Sequence, residues 1–400
     1  MTSKQETIAT EADMIARIRA IQPLLLEQAR PNEENRSLTA EVDSALRSAD
    51  AFAMLLPRRW GGLGFTMSAY CRVAIEVAKA DLAASWVVQI INTTTWIASL
   101  ASDRVQEALF GAGPALVCGV INPPGTVRKV AGGYRVSGSW PYSSGSLQAD
   151  WMMAGCKMID DDGAILPGMF IAYLPIDAVE IKPTWYVTGL QGTGSDTVVA
   201  TDVVIPDNLL IGAAEFGGDR DDRKKYSGDA SDYLPAMSVG RMTNLAQLLG
   251  GAQRMLELIE ADVAKKPLIG TTYARKTDSG PIVHDLGEIA TRLRTAELIL
   301  FDAYRRFDER AAERGDWSEL ELAQSKADGA EVVLLIHGAI EQIMFIGGSS
   351  AFALANPLQR YWRDIHIALR HVLHVPQIGF EHYGRQRLSL KPDILPPGTL

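Results

Sequence analysis

Residues 115–211 interrupt an otherwise helical chain with short β-rich runs, and this limits the possible folds more than any other feature. Before the interruption, Met14, Ile15, Ile18, Ile21 and Leu25 recur at helical spacing, as do Val42, Leu46, Phe52 and Leu56. Pro57 and Gly61-Gly62-Leu63-Gly64 break the pattern, and residues 68–79 and 81–100 resume it as two apolar helices. Inside the interruption, the runs 116–120, 133–136, 151–157, 169–174 and 197–205 alternate with Gly and Pro. That spacing suits an antiparallel barrel or sandwich. Asp160-Asp-Asp-Gly163 predicts a hairpin turn. Beyond Pro235, residues 237–264, 284–314 and 318–345 are each long enough for bundle helices, and a last helix is expected over 357–375. The expected fold class is α+β, mostly α. It comprises an N-terminal helical domain (1–114), an antiparallel β domain (115–211), a polar linker loop (212–234) and a C-terminal four-helix bundle domain (235–400).

Bulk properties narrow the function. A chain of 400 residues, 47% hydrophobic, can bury two or three cores. The net charge is -9, with both signs mixed along the chain, which disfavours nucleic acid as a partner. The charged run 217–225 reads as a solvated surface. Cys71, Cys118 and Cys156 form no CxxC pair, so neither a disulfide framework nor a structural zinc site is expected. His366, His371 and His374 lack an i, i+4 pair and an evident carboxylate ligand, so no metal is expected either. No targeting segment is evident, and no stretch approaches the ~20 apolar residues of a membrane span. The expectation is a cytoplasmic protein without a membrane partner.

Several motifs, in order and spacing, resemble the acyl-CoA dehydrogenase superfamily over nearly the whole chain. They are Leu56-Pro-Arg-Arg-Trp-Gly-Gly-Leu-Gly64, Gly189-Leu-Gln-Gly-Thr-Gly-Ser-Asp196 with Asp202-Val-Val-Ile-Pro206, Arg275-Lys-Thr277, and Gly347-Gly348 followed by Gln359-Arg-Tyr-Trp-Arg-Asp364. The resemblance implies the helix–sheet–helix fold and a homotetramer. It also implies flavin contacts by Arg275, reaching across a subunit interface, and by Gly347 and Gly348. Taken alone, Gly347-Gly348 reads as a helix end.

The chain departs from dehydrogenases where their chemistry resides. The stretch expected to hold flavin and acyl carbonyl is here Ile121-Asn-Pro-Pro-Gly-Thr-Val-Arg128. The two family positions for a glutamate base are Val372 and Gly240. An α,β-dehydrogenation needs a carboxylate to accept the substrate proton. Gly138-Ser-Trp-Pro-Tyr-Ser-Ser-Gly145, Ala149-Asp-Trp151 and the spacing from Arg363-Asp364 to His371 instead resemble the flavin-dependent two-component monooxygenases of the same fold. That resemblance implies an oxygenase component that takes reduced FAD or FMN from a separate flavin reductase. With O2 as co-substrate, it would hydroxylate a small aromatic or heteroaromatic molecule, such as an indole or phenol, through a C4a-hydroperoxyflavin. No nicotinamide-binding GxGxxG after a strand is evident, in keeping with a separate reductase.

The same resemblance puts Ser144 near flavin N5 and His371 near the reactive edge. A hydroxyl there can slow loss of peroxide, and a histidine titrating near neutrality can exchange protons. Trp140, Tyr142, Trp96 and Phe345 are candidates for the water-excluding walls, and Asn92 and Thr94 for hydrogen bonds to substrate. Thr94 stands where related phenol hydroxylases often carry a histidine, so an indole or another electron-rich heteroaromatic is favoured over a phenol needing deprotonation. Read without the resemblance, Ser143-Ser144-Gly145 is a turn, Trp140 and Tyr142 are sheet packing, and Asn92 with Thr94 satisfies backbone in a buried helix. On a continuous helix Asp364 and His371 share one face two turns apart. Asp364 is then expected to meet an arginine or cap a neighbouring element. Two rival readings stay open: an acyl-CoA dehydrogenase with a relocated base, and a non-catalytic flavin- or ligand-binding relative.

Overall fold

Thr10 opens the first helix with a reciprocal cap, its hydroxyl accepting the Asp13 N–H while the Asp13 carboxylate accepts the Thr10 N–H. The computed structural model describes residues 9–212, 215, 229–391 and 394. Most of the polar loop expected at 212–234 lies outside the described residues. Among the described residues, five α-helices precede the sheet: α1 (Glu11–Asn35), α2 (Ala40–Ser48), α3 (Met67–Ala80), α4 (Leu82–Ala98) and α5 (Asp103–Phe110). α4 is buried almost end to end, because Trp86, Val87, Val88, Ile91 and Trp96 cover every side with apolar surface.

Among the described residues, the middle of the chain forms one seven-stranded sheet. Its strands are β1 (Val117–Val130), β2 (Gly133–Trp140), β3 (Trp151–Met158), β4 (Phe170–Pro175), β5 (Glu180–Lys182), β6 (Thr197–Ile205) and β7 (Leu210–Gly212). They lie in the order β5-β6-β2-β1-β3-β4-β7. All pairings are antiparallel except β1 with β3, which runs parallel. The Asp150 carboxylate accepts the Leu116 N–H at 2.7 Å, and Asp150 donates its own N–H to Leu116 O at 2.8 Å. This double contact starts β3 beside the start of β1 and sets the parallel register. β1 also runs longer than its apolar start at 116–120 predicts, with a register shift between Val120 and Gly125. Gly125 is required there, since an added Cβ would lie 2.3 Å from the ring of fully buried Trp140. The predicted turn at Asp160 forms, with Asp160 Oδ1 accepting the N–H groups of Asp162 and Ala164 and Gly163 at φ +85°.

The bundle consists of α6 (Ala236–Val263), α7 (Gly280–Ala312), α8 (Glu319–Gly347), α9 (Pro357–Ala368) and α10 (Pro376–Arg387). One expectation about membranes is corrected. α8 is long and apolar enough to span one, with a window of mean hydropathy 1.5, but over half of that window is buried. It packs on α6, α7 and α10 as a core helix. A second correction matters for the site. The last expected helix does not continue to 375; α9 stops at Ala368, and Pro376 opens α10. A residue before proline is pushed to extended backbone, and Val375 adopts φ −77°, ψ 105°. His371 therefore sits in the loop between two helices, not on the face that carries Asp364.

Candidate functional site

The turn after β2 presents Ser144. Tyr142 adopts φ +62° and Gly145 φ +78°, so the chain reverses sharply over four residues. Gly145 packs against α4, where an added Cβ would stand 2.9 Å from Ile91 Cδ1. Ser144 is buried between α4 and the Gly189–Asp196 motif. Its Oγ lies 2.6 Å from Ser195 Oγ, which lies 2.7 Å from Thr193 Oγ1. Thr193 donates to Leu190 O at 2.8 Å. From the other side, Trp86 Nε1 donates to Ser144 Oγ at 3.2 Å.

Trp86 also meets His371, edge to face, with ring centroids 5.8 Å apart. The two residues that the sequence singles out thus converge on the two sides of one indole. The His371 Nδ1 accepts the Leu373 N–H at 3.4 Å, so the neutral ring carries its proton on Nε2. Burial lowers the His371 pKa from 6.5 to about 4. The expectation of a histidine titrating near neutrality is corrected accordingly: His371 is a neutral imidazole at physiological pH. His374, 5.7 Å away ring to ring, is also held neutral, well below the usual histidine range, by burial and by His371 and Arg241.

α9 ties the two halves together. The buried Asp364 carboxylate accepts the Leu190 N–H at 2.5 Å, and Arg363 donates to Thr188 O. Asp364 therefore caps a neighbouring loop, one of its two expected roles. Gly189 is necessary at this contact, where an added Cβ would lie 2.3 Å from Arg363 O. Burial raises the Asp364 pKa to about 7. A closed path results, from Asp364 through Leu190, Thr193, Ser195, Ser144 and Trp86 to His371, and back along the chain.

Other predicted residues fall elsewhere. Trp140 is fully buried inside the sheet domain and donates its indole N–H to Gly155 O at 2.9 Å, so it has no surface left for a cofactor. Tyr142 is 71% exposed and stacks edge-on against Trp185. The polar role of Asn92 and Thr94 is also corrected. Asn92 binds the backbone of Leu55, Ala51 and Val88, and the single hydroxyl of Thr94 lies against the carbonyls of Ile90 and Val117. Trp96 is enclosed, with its N–H on Ser231 O, whereas Phe345 is 85% exposed. Arg275 is exposed and pairs with Asp278 at 3.0 Å. Gly347 ends α8 and Gly348, at φ +65°, is its cap, with buried Lys276 donating to Ile346 O.

Helical spacing holds the signal that was missed. Trp86, Ile90, Thr93 and Ile97 fall on one face of α4, with Gln89 beside it. Gln89 donates to both Thr93 and Thr243 at 3.0 Å. A Cβ at Gly240 would lie 3.8 Å from Thr93 Cγ2 and 4.0 Å from Leu373 Cδ1. This second position for a dehydrogenase base thus faces α4 and the His371 loop, and it bears no side chain. The first, Val372, is apolar and 79% exposed. Ser195 and Thr193 sit in a motif read only as a fold signature. His337, Glu341 and His366 also come within reach of one ion, a grouping that the sequence reading did not anticipate. There, however, His366 Nε2 meets Glu341 at 2.6 Å and Arg370 lies 3.0 Å from Nδ1, so both ring nitrogens are engaged beside a cation.

Known proteins share the fold that carries this arrangement. Residues 2–111 match the acyl-CoA dehydrogenase N-terminal domain and residues 242–376 the acyl-CoA dehydrogenase C-terminal domain. The chain is 27% identical over 406 residues to the flavin-dependent monooxygenase oxygenase subunit HsaA of Mycobacterium tuberculosis, covering 98% of this chain and 99% of that protein. It is 25% identical over 391 residues to the FADH(2)-dependent resorcinol hydroxylase oxygenase component of a Rhizobium species, covering 95% of each. Among solved structures, XiaF from a Streptomyces species, in complex with FADH2 and glycerol, superposes with a TM-score of 0.93 at 27% identity, covering 96% of this chain and 97% of that one. The chain belongs to the acyl-CoA dehydrogenase superfamily, within its flavin-dependent monooxygenases.

Proposed function

We propose that this chain is the oxygenase component of a two-component system. It takes reduced FMN or FAD from a separate flavin reductase and uses O2 to hydroxylate a small aromatic or heteroaromatic molecule such as an indole or phenol. One observation carries the reading. Ser144 and His371 converge on Trp86, while Val372 and Gly240 leave both base positions without a carboxylate.

The residues present suit a flavin. Ser144 Oγ has a hydrogen-bonding position beyond its contacts with Trp86 and Ser195. When bound, reduced flavin would supply the electrons that activate oxygen. Ser144 would hold N5 in place. His371 would offer its Nε2–H as a hydrogen bond to oxygen or substrate without placing a charge in the pocket, the proton staying on the ring. Trp86, Ile90 and Ile91 would keep water away. Arg275, exposed beside Asp278, and Gly347-Gly348 would belong to the phosphate end of a flavin shared across a homotetramer interface. The reading also takes the protein to work in the cytoplasm.

The test supplies purified protein with chemically reduced FMN or FAD, isotopically labelled O2, and indole or phenol in turn. The expected result is a product carrying one labelled oxygen atom. Absence of labelled product from every aromatic tested, together with anaerobic bleaching of a bound oxidised flavin by an acyl-CoA, would instead establish a dehydrogenase with a relocated base.

A further inference from the structure

The hydroxyl chain behind Ser144 has a direction. Thr193 Oγ1 stands 2.8 Å from the carbonyl of Leu190, and two acceptors at that distance need a proton between them, so Thr193 donates there. Its only proton is then used, and at 2.7 Å Ser195 must donate to Thr193. By the same logic Ser144 must donate to Ser195 across 2.6 Å. At the far end stands an indole N–H, which can only donate, and Trp86 gives it to Ser144 at 3.2 Å. Every bond thus points the same way, from Trp86 towards Leu190. Leu190 is held in turn by its own N–H on Asp364 and receives the Trp185 indole at 2.9 Å. Ser144 has no proton left for a ligand, only a lone pair.

We propose that this relay makes Ser144 a hydrogen-bond acceptor towards the cofactor, and that Thr193 and Ser195 are positioning residues that select reduced over oxidised flavin. The inference rests on the reading that Ser144 meets flavin N5. Reduced flavin bears a hydrogen on N5 and can donate it to Ser144. Oxidised flavin bears none there and offers a lone pair, which meets the lone pair of Ser144. An oxygenase fed by a reductase gains from this arrangement, because it captures the delivered form and releases the spent one. Each tenfold of preference raises the bound flavin's two-electron potential by about 30 mV.

The experiment measures anaerobic dissociation constants for reduced and oxidised FMN and FAD by equilibrium ultrafiltration. In the native protein reduced flavin should bind at least about tenfold more tightly, the worth of one favourable against one unfavourable contact. Thr193→Val keeps the shape but cannot accept from Ser195. Ser195 then donates to Ser144, which turns its proton outward. The preference should fall by about tenfold or reverse, with oxidised flavin gaining affinity. Thr193→Ser should restore it. Ser195→Ala, which also frees the Ser144 proton, is a second route to the same loss if the valine variant does not fold. A folded Thr193→Val or Ser195→Ala protein with an unchanged preference would overturn the relay. If Ser144→Ala also leaves the preference unchanged, or if neither flavin binds, the placement of Ser144 at N5 fails and the inference falls with it.

Discussion

Trp86 does at one residue what no motif in the sequence announces. Its N–H orients the Ser144 hydroxyl, and its ring meets His371. In the sequence it is one apolar residue in an apolar helix, and only its pairing with partners far along the chain gives it a role. The two residues named from the sequence resemblance, Ser144 and His371, do come together around it. The polar pair named beside them, Asn92 and Thr94, holds backbone instead, and Thr93 with Gln89 faces Thr243. One residue of helix, a rotation of about 100°, separates Thr93 from Asn92 and Thr94, and sequence without a helical phase cannot decide between them. His371 also has a protonation state that its residue type does not reveal. Burial shifts its pKa from 6.5 to about 4, which favours the neutral ring. The stability tied to that neutral ring is present above the ordinary value and is lost as pH falls from about 6.5 towards 4. An NMR titration of the folded protein should place the midpoint of the His371 ring near 4, and His371→Gln should remove that signal. A midpoint near 6.5 would mean that the ring is solvated.

At the scale of elements, the fold was legible wherever one periodicity dominates. Helices α6, α7 and α8 and the turn at Asp160 lie close to where apolar spacing and turn residues put them. The parallel β1–β3 pairing was not legible, because it depends on Asp150 reaching back to Leu116. Nor was the end of α9 at Ala368, since the apolar pattern runs on towards Pro376. That end matters: it leaves Asp364 on the helix as a cap for Leu190 and lets the chain turn His371 towards Trp86. Asp364→Ala removes the acceptor of a buried N–H, and the protein should lose about 1–3 kcal/mol in a denaturant titration. Asp364→Asn keeps an acceptor and should cost less. The carboxyl titrates at about 7 rather than 3.8, so the stability it contributes is present below 3.8 and is lost as pH rises towards 7. The asparagine variant should flatten that pH dependence, and an unchanged slope would assign it to another group. In the sheet, Gly125→Ala drives a methyl group into the Trp140 ring, which has no free volume to move into. A loss of about 1–3 kcal/mol is expected, read as a lower melting temperature.

At the scale of the molecule, the helix–sheet–helix order brings four distant segments to one place. α4 supplies Trp86, the turn after β2 supplies Ser144, the Gly189–Asp196 motif supplies Thr193 and Ser195, and the loop after α9 supplies His371. The order of the segments could be read from texture and motif spacing. Their convergence depends on tertiary packing, as at Gly145 against Ile91 and Gly189 against Arg363, where a side chain would keep the parts from closing. The central claim is that this convergence protects oxygen chemistry on a reduced flavin, and it can be tested without knowing the substrate. The protein is saturated with reduced flavin under anaerobic conditions and mixed with O2, and the release of hydrogen peroxide is timed against free reduced flavin. The account predicts a clear delay in the native protein, shortened at least about tenfold in Ser144→Ala. Peroxide appearing as fast with the native protein as with free flavin would contradict it.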